Sequence, residues 1–107
     1  LTEIPTTLFA GINQPATATF MRTFEGCTGI TSIPENLFVN MTGTPAEEMY
    51  IETFAGCSSL EGESARLNGD YFYNLWPDLP GVFDAMYYDC TGLTDYDDIP
   101  MSWKTLE

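Results

Sequence analysis

The stretch FMRTFEGCTGITSIP, Phe20 to Pro34, carries a pattern that the rest of the chain repeats. An aromatic, a second aromatic four residues on and a cysteine three after that fall at Phe20, Phe24 and Cys27. The same spacing returns at Tyr50, Phe54 and Cys57, then at Phe83, Tyr87 and Cys90. Three residues past each cysteine stands an aliphatic: Ile30, Leu60 or Leu93. With Leu1 as the first of these, the periods are 29, 30 and 33 residues. Self-similarity at such a period marks a stack of units, each burying its apolar face on the next.

Working outward, LTEIP at Leu1 matches ITSIP at Ile30 position for position, and Leu8-Phe9 matches Leu37-Phe38. These matches predict short strands over 1–4 and 30–33, each ended by a proline that cannot donate to a ladder. Short helices over 6–12 and 35–41 follow. Pro15 and Pro45 suit the first turn of longer helices over 16–25 and 46–55, and a third helix is predicted over 81–89. Spacings of four and three put Phe20, Phe24 and Cys27 on one helix face. Gly26 and Gly56 fall where a left-handed residue closes a helix. A buried column of Phe24, Phe54 and Tyr87 follows from their shared place in the repeat, as do reduced, buried cysteines.

The third unit departs from the others. Leu60 is followed by Glu-Gly-Glu-Ser with no Ile-Pro, three extra residues precede Leu93, and YFYNLW is dense in aromatics. A short helix is expected over 68–75 and a turn over 76–80. Residues 61–76 are expected to be the most irregular part of the chain and its contact surface; a regular strand and helix there would favour a decayed repeat. The end of the chain reads as a last strand and a cap, with Trp103 over the apolar end and Asp95, Asp97 and Asp98 facing water.

The formal charge of −13, with only Arg22, Arg66 and Lys104 positive, opposes nucleic acid and anionic lipid, which are bound through Lys and Arg. No run of 18 apolar residues exists to span a bilayer. Histidine is absent, which removes the commonest general base and transition-metal ligand. Three cysteines spaced by 30 and 33 residues lack the close pairs of a zinc site. The expectation is therefore no metal and no cofactor. The acids at 95, 97 and 98 could take calcium, but their loop does not follow the helix-loop-helix calcium spacing. None of the 16 acids is marked out as a catalytic pair, so no enzyme activity is expected. The start in mid-pattern at Leu1 suggests a piece of a longer polypeptide.

The units TFEGCTGITSIPENLF and TFAGCSSL resemble the BspA-like leucine-rich repeats of bacterial surface proteins. Cys27, Ile30, Ile33 and Pro34 match that pattern fully, Cys57 and Leu60 its first half, and Cys90 and Leu93 match with Ile99-Pro100 displaced. The resemblance implies an α/β, right-handed solenoid of the leucine-rich-repeat type. With two helical segments per repeat, it would be helix-rich. Units would span 1–29, 30–59 and 60–92, with a cap over 93–107. It further implies an adhesion or display module at a bacterial cell surface, secreted, or on a phage virion. The candidate binding face is the strand side, where Thr2, Glu3, Thr31, Ser32, Glu61, Glu63, Thr94 and Asp95 line up, joined by Tyr71 and Tyr73. Such a face would take a protein or glycan ligand. The alternative is a structural spacer in a larger surface or tail-fibre protein; exposed aromatics beside the polar face would favour binding.

Overall fold

Every backbone N–H must find an acceptor, and where those of residues 19–27 go decides the architecture. Phe20, Arg22, Phe24 and Gly26 donate to the carbonyls of Met49, Ile51, Thr53 and Ala55 at 2.8–2.9 Å. The intervening N–H groups of Thr23, Glu25 and Cys27 turn back on Phe20, Arg22 and Phe24 at 3.0–3.2 Å. Half of the donors thus close tight turns and half reach a neighbouring segment. The second segment, 47–57, repeats the scheme: Tyr50, Glu52, Phe54 and Gly56 donate to Val82, Asp84, Met86 and Tyr88 at 2.8–3.0 Å. In the third, 80–90, Ala85 and Tyr87 donate to Ser102 and Trp103. The computed structural model describes residues 3–4, 8–9, 17, 19–35, 37–38, 44–67 and 69–105.

These segments are turn ribbons rather than helices, and their dihedrals say why. A left-handed residue recurs every four positions: Arg22 and Gly26, then Glu48, Glu52 and Gly56, then Gly81, Ala85 and Asp89. The rows Arg22–Glu52–Ala85 and Gly26–Gly56–Asp89 are aligned across the ribbons. Arg22 stands third in the turn closed by Thr23 N–H on the Phe20 carbonyl, the place where a type II turn needs a positive φ. A residue in that conformation cannot continue a right-handed helix. Its cost is met by the hydrogen bonds to the next ribbon.

A four-residue turn rhythm also points every fourth side chain the same way. Phe24, Phe54 and Tyr87 form one column with ring separations of 5.4 and 5.9 Å and planes within 8°, as their shared repeat position predicts. Phe20, Tyr50, Phe83 and Trp103 form a second, at 5.4, 5.4 and 4.2 Å. Trp103 therefore lies over the third ribbon with both its backbone and its ring. Phe38 packs edge-on against both columns, at Tyr50 and Phe54. Phe72 packs edge-on or tilted against Phe38, Tyr50 and Phe83, and all of these rings are buried.

The helix-rich leucine-rich-repeat solenoid expected from the sequence is not what the chain forms. Among the described residues there is one two-stranded sheet and helix only at Phe72–Leu75 and in two 3₁₀ turns, Tyr96–Asp98 and Met101–Trp103. The helices expected over 46–55 and 81–89, and the described part of that over 16–25, are turn ribbons. Residues 30–33 are not a strand, and the last strand is replaced by the 3₁₀ turns. The expectations over 1–2, 6–7, 10–12, 36 and 39–41 lie outside the described residues, and the described parts of those elements, at 3–4, 8–9, 35 and 37–38, are neither strand nor helix. Residues 61–76, expected to be the most irregular, instead hold the regular elements: strands β1 (Arg66–Leu67) and β2 (Asp70–Tyr71) and helix α1 (Phe72–Leu75), the last confined to the end of the helix expected over 68–75. The expectation of an irregular contact surface fails on this, and the regularity favours a decayed repeat. Arg66 pairs with Tyr71 and Leu67 with Asp70, antiparallel.

Candidate functional site: a tyrosine and carboxylate ledge

After each cysteine the chain crosses one flank of the stack, and single backbone bonds tie these crossings together. Glu61 N–H donates to the Thr31 carbonyl at 2.8 Å. The Gly62 carbonyl accepts both the N–H of Thr94, at 2.7 Å, and its hydroxyl, at 3.0 Å. Thr31, Glu61 and Thr94 thus stand in adjacent positions with exposed side chains. Ser32 and Glu3 are exposed too; Thr2 lies outside the described residues.

The β1–β2 hairpin sets a half-buried tyrosine pair beside this row. Tyr71 and Tyr73 stack at 5.1 Å with planes 7° apart. Their hydroxyls diverge onto different carboxylates. Tyr71 donates to Glu63 Oε1 at 2.9 Å and Tyr73 to Asp95 Oδ2 at 3.0 Å. Glu63 is also gripped by the Arg66 guanidinium at 2.7 Å, which lies 3.6 Å from Glu35. Asp95 further accepts the Ser64 N–H at 3.0 Å and the Ser64 hydroxyl at 2.5 Å.

Asp95 was expected to face water with Asp97 and Asp98. Those two are exposed, but Asp95 is 7% exposed, and the donors above satisfy a carboxylate that burial would otherwise penalise. It is a brace of the ledge, not a contact residue. Burial and the bond to Asp95 raise the Tyr73 pKa well above the ordinary phenol value. The bond to Glu63, then burial, raises that of Tyr71. Both phenols hold their protons at neutral pH and remain donors. Beneath them Tyr87 is fully buried, accepts the Ala65 N–H at 2.9 Å and is raised chiefly by burial.

The structure thus joins Thr31, Glu61, Thr94, Glu63, Tyr71, Tyr73 and Asp95 on one flank, directly or through Gly62 and Ser64. For Ser32 and Glu3 it gives exposure alone. Sequence reading missed Ser64 as part of the site; Arg66, the only cation near Glu61 and Glu63 in sequence, pairs with Glu63. The signal for the hairpin was the Asn68-Gly69 dipeptide, a turn marker that places Arg66 opposite Tyr71.

A separate hollow of about 290 Å³ is lined by Pro77, Asp78, Leu79, Pro80, Asp84, Ser102 and Trp103; none of the expected site residues lines it. A scan against protein-family models, a search of the curated proteins and a search of the solved structures each return no match. No described helix is long and apolar enough to cross a membrane.

Proposed function

We propose that this chain is a non-enzymatic binding module of a bacterial surface, secreted or phage virion protein, contacting a protein or glycan through the ledge. The observation behind this reading is the half-buried Tyr71–Tyr73 pair standing beside the exposed Thr31, Glu61 and Thr94. Aromatic rings held rigid next to hydroxyls and carboxylates offer a flat apolar contact and acceptors at once, and tyrosine is enriched at binding hot spots. The location rests on the likeness of TFEGCTGITSIP to BspA-like surface repeats; the fold attached to that family does not enter.

The spacer reading also has an observation in its favour. Both tyrosine hydroxyls are already committed to Glu63 and Asp95, as a brace would commit them. The two readings part on one experiment. A printed glycan array and a panel of immobilised extracellular-matrix proteins are probed with the wild type and with T31A/E61A/Y71A. Tyr73 is left intact because it supports buried Asp95. A signal that falls at least about tenfold in the variant, with little change in melting temperature, supports binding. No signal on either surface, or one that survives the triple change, leaves the spacer.

A further inference from the structure

Cys27 and Cys57 occupy the same position in neighbouring ribbons. Cys57 donates its thiol to the Phe24 carbonyl oxygen at 3.0 Å, the same oxygen that accepts the Cys27 N–H at 3.0 Å. The Cys57 sulfur therefore lies within two hydrogen-bond lengths of the Cys27 amide nitrogen. The backbones run close here. Gly26 N–H meets the Ala55 carbonyl at 2.8 Å, and a Cβ placed on Gly56 would sit 3.5 Å from the Gly26 Cα. Three residues before the cysteines, the equivalent rings of Phe24 and Phe54 lie 5.4 Å apart, on the scale of the roughly 4.4–6.8 Å Cα separation that a disulfide spans. Cys90 leans on the Phe54 carbonyl in the same manner, at 3.1 Å. What separates the pairs is access: Cys57 and Cys90 are buried, whereas Cys27 is partly exposed, against the expectation that all three are buried.

We propose that Cys27 and Cys57 are an oxidisable pair, forming an intramolecular disulfide when the protein meets a small-molecule disulfide. Cys27 is the entry thiol. Its thiolate attacks one sulfur of the oxidant, giving a mixed disulfide and releasing one small thiol. The Cys57 thiol then loses its proton and attacks the Cys27 sulfur, releasing the second small thiol. Two protein thiols are oxidised and one small disulfide is reduced to two thiols, so atoms and electrons balance. The bond needs a Cys27 rotamer that faces the second ribbon. Burial pushes the Cys57 thiol up to about 11, so the second step quickens as pH rises towards that value.

The test incubates the native chain with oxidised glutathione at mildly alkaline pH, blocks remaining thiols with iodoacetamide and digests after glutamate without reductant. Cleavage at Glu25, Glu35, Glu52 and Glu61 puts Cys27 on residues 26–35 and Cys57 on residues 53–61. The expected product is these two peptides joined, and separated by dithiothreitol. Cys27 recovered only as its glutathione adduct, a joined peptide containing Cys90, or three unreacted thiols would each overturn the proposal. A Cys27→Ser variant, changed at a partly exposed position, should leave Cys57 unmodified in the native state. Modification of Cys57 at the wild-type rate would show that Cys27 is not the entry thiol and overturn it as well.

Discussion

The turn ribbons and the hairpin insert solve the same problem in opposite ways. In the ribbons 19–27 and 47–57 every second N–H is committed to the next ribbon, two N–H groups of 80–90 reach Ser102 and Trp103, and each ring sits on its counterpart. The insert over 61–76 pairs β1 with β2, its own second strand. It is tied to the stack by buried Phe72, which packs on Phe38, Tyr50 and Phe83, and at its rim by polar groups, Ser64 to Asp95 and the Ala65 N–H to the Tyr87 hydroxyl. Stability is therefore shared along the stack and through Phe72, and private only at the polar rim of the insert. Damage to a ribbon should unfold the molecule, whereas damage at the rim of the insert should stay local.

The largest expected effect tests the shared part. Phe54 lies in the middle ribbon with no exposure and rings on both sides. Phe54→Ala should cost about 3–5 kcal/mol in denaturant unfolding, by lost transfer energy and an unfilled cavity. A loss below about 1 kcal/mol is too small for a buried ring and would break the column.

That column was legible from the sequence, because a repeat position implies a shared environment whatever the backbone does. The backbone itself was not legible. Side chains at Phe20 and Phe24, or Tyr50 and Phe54, share a face both in a 3.6-residue helix and in a turn ribbon of four, and two turns are too few to separate those periods. The left-handed positions gave no warning, since Arg22, Glu48, Glu52 and Ala85 are residues that seldom adopt a positive φ. Only Gly26, Gly56 and Gly81 hinted at it, and the first two also suit helix ends. The ledge was half legible. Its exposed row followed from repeat alignment, whereas the burial of Asp95 depends on Ser64 and Tyr73, whose approach no spacing encodes.

A second test bears on how closely the crossings pack. Gly92 has an ordinary φ, but a Cβ there would lie 2.5 Å from the Leu60 carbonyl oxygen. A backbone atom cannot swing aside as a side-chain tip can. Gly92→Ala should cost about 2 kcal/mol, within the range for overpacking. An unchanged midpoint would mean that the crossings are looser than the Thr94–Gly62 bonds indicate.

The private part should respond more weakly and asymmetrically. Tyr73→Phe removes one of three donors to buried Asp95 and should cost about 1 kcal/mol, a typical net hydrogen bond. Tyr71→Phe removes a bond to half-exposed Glu63, which keeps Arg66, and should cost less than about half of that. Equal losses, read by thermal unfolding of both variants, would show that the Asp95 brace has no special weight.

The smallest effect discriminates most sharply between ribbon and helix. Arg22 is exposed, left-handed at φ 58°, and has a long 3.6 Å contact with Glu52. In a helix interior, Arg22→Gly would cost about 1 kcal/mol. In the ribbon the same change relieves roughly 1–2 kcal/mol of left-handed strain. Against this stand about 0.5–1 kcal/mol of extra glycine entropy and an exposed ion pair worth about 0–1 kcal/mol. These terms nearly cancel, so the variant should unfold within about 0.5 kcal/mol of the wild type. High salt screens the ion pair in the parent and should move the comparison towards the glycine variant. A full helix-like loss, unaltered by salt, would contradict the four-residue left-handed rhythm on which the stacking of the ribbons depends.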